Sequence, residues 1–116
     1  MVLRSGDKLL IVHRRLFDKD QSRLFIGRVE EYDAGLVKVA GRTFVRDPLS
    51  GEYVGRADTR IKILALSSGT LIVYQLPQNT QLENIQFILD SSGGITMTDG
   101  NVLSMDISEI PHSASG

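Results

Sequence analysis

The chain has no cysteine and no tryptophan, only three prolines, and only four phenylalanines and three tyrosines. Without cysteine there are no disulfides, no thiol catalysis and no thiolate-ligated zinc or iron–sulfur cluster. No apolar run approaches the ~18 residues of a membrane helix. The opening residues Met1-Val2-Leu3-Arg4-Ser5-Gly6-Asp7 lack a signal-peptide pattern. The expectation is a cytoplasmic protein with no membrane partner. No glycine loop of the phosphate-cradling kind and no GxSxG elbow is present. The two histidines, His13 and His112, are far apart and have no neighbouring ligand cluster, so no metal site is expected. Asp18-Lys19-Asp20-Gln21-Ser22 opens like a calcium loop, but Arg23 and Val29 stand where a glycine and a bidentate glutamate are required. That stretch reads as a polar turn. Glu30 and Glu31, adjacent on a strand, point to opposite faces and make no carboxylate dyad. These absences predict a protein that is not an enzyme and needs no cofactor.

What is there suits one domain. The 116 residues are 41% hydrophobic and 23% charged, and a chain of this size buries roughly two thirds of its unfolded surface. The formal net charge of −1 hides a polarity. All 13 Lys and Arg lie between Arg4 and Lys62, with nine of the 14 acids, so that stretch carries +4. From Ile63 onward there are five acids and no Lys or Arg, a charge of −5. The basic half suits a polyanion and the acidic half does not.

The residue pattern predicts strands throughout. Asp7–Leu16 is aliphatic, then basic, and short. A turn at Phe17–Gln21 leads to Arg23–Glu31, which sets Leu24, Ile26 and Arg28 on one face and Phe25, Gly27 and Val29 on the other. Gly27 within a strand pattern marks a bend or a close backbone approach. Asp33-Ala34-Gly35 turns into Leu36–Arg46, and Asp47-Pro48-Leu49-Ser50-Gly51 is a second turn, with proline fixing φ. Arg60–Leu66 and Leu71–Leu76 follow, separated at Ser67–Thr70. Gln78-Asn79-Thr80 reads as a linker. Short runs at Ile85–Leu89, Ile95–Thr98 and Val102–Ile107 come next, with Asp99-Gly100 as a hairpin signal between the last two. The expected organisation is a bent barrel over 1–77, a β meander over 78–109 packed on it, and a flexible tail over 110–116.

Gly27-Arg28-Val29-Glu30-Glu31-Tyr32-Asp33 resembles the first signature of the Sm/LSm family: glycine, any residue, aliphatic, two variable residues, aromatic, aspartate. Ser68-Gly69 followed by Tyr74-Gln75-Leu76-Pro77 resembles the second, an arginine–glycine turn between two strands that closes on an aliphatic–proline pair. The resemblance covers roughly Asp7 to Pro77. It implies an all-β fold, a small, strongly bent SH3-like or Sm-like barrel, here with extra C-terminal strands. It also implies ring-forming homo-oligomers. The family's base-binding positions depart from its pattern, since Gly35, Val37 and Ser68 stand where a stacking residue, an asparagine and an arginine are usual. Glycine and valine neither stack nor read a base edge, and serine lacks the guanidinium plane. The family's N-terminal helix also has no room before Asp7.

Two functions fit these residues. One is a ring that binds RNA or single-stranded DNA through the phosphate backbone, drawing on Arg14, Arg15, Arg23, Arg28 and Lys38, with Asp33 and Gly69 carried over from the signatures. The other is a structural ring scaffold whose C-terminal extension binds a protein partner and which has no nucleic-acid role.

Overall fold

The computed structural model describes residues 3–13 and 23–107. The fold is all-β and antiparallel. Its first sheet contains β1 (Lys8–His13), β2 (Arg23–Asp33), β3 (Leu36–Arg46), β4 (Tyr53–Gly55), β5 (Arg60–Ala65) and β6 (Leu71–Leu76). The strands run in the order β4-β3-β2-β1-β6, with β5 paired to the opposite half of β3 from β4. A second sheet holds β7 (Gln86–Leu89), β8 (Ile95–Thr98) and β9 (Ser104–Asp106).

Alternation divides the first sheet into two apolar faces. Leu9 and Ile11 of β1, Phe25 and Val29 of β2, and Val37 and Val39 of β3 form the inner cluster with Leu3. Leu64 of β5 and Leu71 and Val73 of β6 pack on that same cluster from opposite ends of the sheet, so the sheet curls around it. Leu10 and Val12 of β1, Leu24 and Ile26 of β2, and Phe44 of β3 face the other way. Ile95, Met97, Leu103 and Ile107 of the C-terminal segment cover this outer face. The two-sided burial explains why β1 reads as an unbroken aliphatic run. Each fully buried aliphatic or phenylalanine side chain contributes roughly 1.5–3 kcal/mol.

The bend falls where Gly27 of β2 pairs with Gly41 of β3. Past it, β2 carries a bulge between Val29 and Glu31, which puts Glu31 opposite Lys38 and returns Tyr32 to the inner cluster. The β2–β3 hairpin turns on Ala34 and Gly35, with φ of 49° and 85°. Both central residues are left-handed, as a two-residue hairpin turn requires.

Three local expectations are corrected. The loop between Arg46 and Arg60 contains β4, which the sequence hides because it is three residues long and ends in glycine. Gln78-Asn79-Thr80 is a docked turn: Gln78 Nε2 donates to Asp7 Oδ1 at 2.8 Å, Lys8 Nζ donates to the Thr80 carbonyl, and Thr80 is fully buried. Asp99-Gly100 is part of a five-residue loop rather than a two-residue turn. Asp99 Oδ1 accepts from Asn101 N and Leu103 N at 2.8 and 2.9 Å, which keeps Val102 out of the ladder and starts β9 at Ser104. The turn expected at Phe17–Gln21 and the tail at 110–116 lie outside the described residues.

Candidate nucleic-acid interface

The basic residues named from the sequence do not share one surface. Arg23 opens β2 on the inner-facing phase of Phe25, whereas Arg28 lies on the outer-facing phase of Leu24 and Ile26. Five residues of strand separate the two, roughly 17 Å. Lys38 is exposed on the outer phase of β3, directly opposite Glu31. Arg14 and Arg15 lie outside the described residues.

Asp33 closes β2 at the end away from Arg23, whereas Gly69 lies two residues before Leu71, the β6 partner of His13. Leu66 N, at the start of a 3-10 turn over Leu66–Ser68, donates to the Gly35 carbonyl at 2.9 Å. Gly69 ends that turn with a φ of 77°. Val37 is fully buried in the inner cluster, and Gly35 has no side chain, so neither offers a group to a base.

Most of the described aromatic residues are also committed to packing. Phe25 and Phe44 are buried, Tyr32 packs on the inner cluster, and Tyr53 lies 5.0 Å from the Phe87 ring. Phe87 in turn meets Phe44 edge-on at 5.3 Å. These packed rings leave little aromatic face for stacking a base.

A cationic cluster that sequence reasoning missed occupies the barrel mouth at the Arg23 end. His13 continues the inward phase of Leu9 and Ile11, Arg23 precedes Phe25 on the same face of β2, and Lys62 shares the inward phase of Leu64 on β5. The Lys62 ammonium sits 4.6 Å from the centroid of the Phe25 ring. Burial, together with Lys62 and Arg23, holds the His13 imidazole below its ordinary 6.5. Burial, together with Arg23 and Arg60, likewise lowers Lys62 from its ordinary 10.5. Arg60 is paired with Asp58 at 2.9 Å, and among the described residues no ion pair neutralises His13, Arg23 or Lys62. The available signal was the alternation of Arg60–Ala65, which puts Lys62 in phase with Leu64.

A cavity of about 280 Å³ lies on the outer side of the bend, lined by Arg28, Arg42, Phe44, Thr59, Leu82 and Glu83. Arg42 Nε donates to the Arg56 carbonyl at 3.0 Å, and its guanidinium lies 5.2 Å from the Phe44 ring centroid. Among the described residues no group of three His, Asp or Glu side chains is placed to hold a metal ion. No helix among them is long and apolar enough to cross a membrane. No protein-family model, no curated protein and no solved structure matches this chain.

Proposed function

We propose that this chain is an Sm-like, ring-forming, non-enzymatic protein that binds RNA or single-stranded DNA without base preference, through the phosphate backbone. The observation that carries this reading is the strand order β6-β1-β2-β3-β5. Among the described residues it leaves β5 and β6 each with one unpaired edge at opposite ends of the sheet. Unpaired edges of this kind are liabilities unless another chain covers them. Around the β5 edge, Ile61 and Ile63 are 62% and 67% exposed, and Leu36 on neighbouring β3 is 50% exposed. Pairing β5 of one copy with β6 of the next satisfies both edges, and such head-to-tail contacts close as a ring. A ring repeats each subunit's cations around one face, which multiplies phosphate contacts that are few per subunit.

A second reading, a ring scaffold with no nucleic-acid role, draws support from the scattering of Arg23, Arg28 and Lys38 and from the Lys38–Glu31 pair. Retention on a polyanion column at moderate salt, followed by polarisation titrations of labelled single-stranded RNA and DNA, separates the two. The nucleic-acid reading expects binding that weakens steadily as salt rises. Elution with the void at low salt, with no binding to either oligomer, favours the scaffold.

A further inference from the structure

We propose that the barrel mouth formed by His13, Arg23 and Lys62 is a seat for a phosphate group. The inference rests on the same basic end of the barrel that the nucleic-acid reading uses, but it assigns a discrete site with a ligand class. Three strands that are separate in sequence deliver one cation each to the inner face of the sheet. β1 brings His13 and β2 brings Arg23, each one inward step beyond the Ile11 and Phe25 pair, and β5 brings Lys62, one inward step beyond Leu64, whose ammonium reaches over the Phe25 ring. Inward positions one layer deeper are aliphatic or phenylalanine, so apolar residues at the mouth would simply extend the core.

Among the described residues nothing offsets the repulsion within the cluster. Each cation lies close enough to the others for like-charge repulsion to act, and burial strips part of the hydration of His13 and Lys62. Among the described residues, the groups facing His13 are Arg23 from β2 and Lys62 from β5, while Leu71, its partner on β6, adds no charge. A tetrahedral oxyanion reverses the balance, because each donor then gains a charge-assisted hydrogen bond. Phe25 assists by holding the Lys62 ammonium over its ring face, which fixes the donor while leaving its N–H groups directed elsewhere. The three donor types are complementary: guanidinium gives a fork, ammonium a point charge and imidazole a single directed N–H.

The test uses the full chain with His112→Gln, so that His13 supplies the only imidazole signal in NMR. Inorganic phosphate is titrated at ionic strength held constant with sodium chloride. The expected result is a saturable shift of the His13 resonances and a rise in its titration midpoint. Lys62→Met keeps the stem on Phe25 but removes the charge. It should weaken phosphate about tenfold and raise the melting temperature in phosphate-free buffer, which separates lost binding from lost folding. No saturable shift up to about 20 mM phosphate, the same shift with chloride alone, or unchanged binding by the Lys62→Met chain would overturn the proposal.

Competition then identifies the source of the phosphate. A 5′-phosphorylated oligonucleotide that displaces phosphate better than its 5′-hydroxyl counterpart marks a terminal phosphate. Equal displacement by both marks an internal phosphodiester, and displacement by neither marks free phosphate. In that last case the site stands while the nucleic-acid reading fails. Oligonucleotide binding without any His13 response leaves that reading standing and removes the site.

Discussion

Gly27 and Gly41 face each other across β2 and β3, so closely that a methyl group on either would collide with backbone. A Cβ at Gly27 meets the Ala40 carbonyl oxygen, and one at Gly41 meets the Ile26 carbonyl oxygen. The curl of the sheet depends on this contact, and the curl brings Leu64 and Leu71 onto one inner cluster. Gly27→Ala and Gly41→Ala should each destabilise the fold by about 3 kcal/mol, because backbone cannot move aside as a side chain does. Urea denaturation monitored by circular dichroism checks this, and a loss below about 1 kcal/mol would show that the strands need not approach so closely.

Oligo-uridine should bind no better than other single strands. Val37 is buried and Gly35 has no side chain, so the turn that meets Leu66 offers no base sandwich. Losing a stacking partner costs ~1–3 kcal/mol per base, enough to erase a preference. Matched U, A and C oligomers should give affinities within about threefold of one another, and a tenfold advantage for U would mean that other residues rebuild the pocket.

Arg14→Ala combined with Arg15→Ala should weaken every sequence alike, since phosphate contacts carry no base information. The slope of log affinity against log salt should flatten by roughly one to two for each subunit engaged. If these arginines only solvate a turn, the double variant will bind as the parent does, because exposed ion pairs contribute little.

Acid should destabilise the protein in two stages. The folded state holds His13 below its ordinary 6.5, so the unfolded chain takes up that proton first. The contribution is complete above about pH 6.5 and is lost as pH falls through the depressed folded value. Asp99 behaves likewise from 3.8 downward, because hydrogen bonds from Gln81 N, Leu103 N and Asn101 N favour its carboxylate. Asp90, capped by Ser92 and Gly94, adds to this second stage. Melting temperature followed from pH 8 to pH 3 should show both declines. His13→Leu should remove the first, and Asp99→Asn should reduce the second. A flat profile between pH 7 and pH 5 would contradict the desolvated placement of His13.

How far the sequence foretold this structure depended on range. Strands β2 and β5 followed from alternation, β1, β3 and β6 from short apolar runs bounded by turn residues, and Gly27 announced the bend because a glycine has little other use inside a strand. Tyr53–Gly55 stayed hidden, since three residues carry no period. The Asp99 loop misled because Asp-Gly also marks two-residue turns, whereas here the carboxylate reaches Leu103 N, four residues on. The cationic mouth was invisible for a different reason. Lys62 on β5 joins His13 and Arg23, which the β1–β2 register already sets side by side, only when the sheet curls, a property of the Gly27–Gly41 pair and not of any local run.

The assembly itself is the most direct test, because the proposed pairing of β5 with β6 underlies both the ring and its repeated cations. Light scattering coupled to size exclusion at ~50 µM, well above the micromolar range of weak association, gives the mass. A discrete multiple of the 12.8 kDa chain, returned to monomer by Ile72→Pro in the β6 edge, is the result this account predicts. A monomer mass for the parent chain would contradict it.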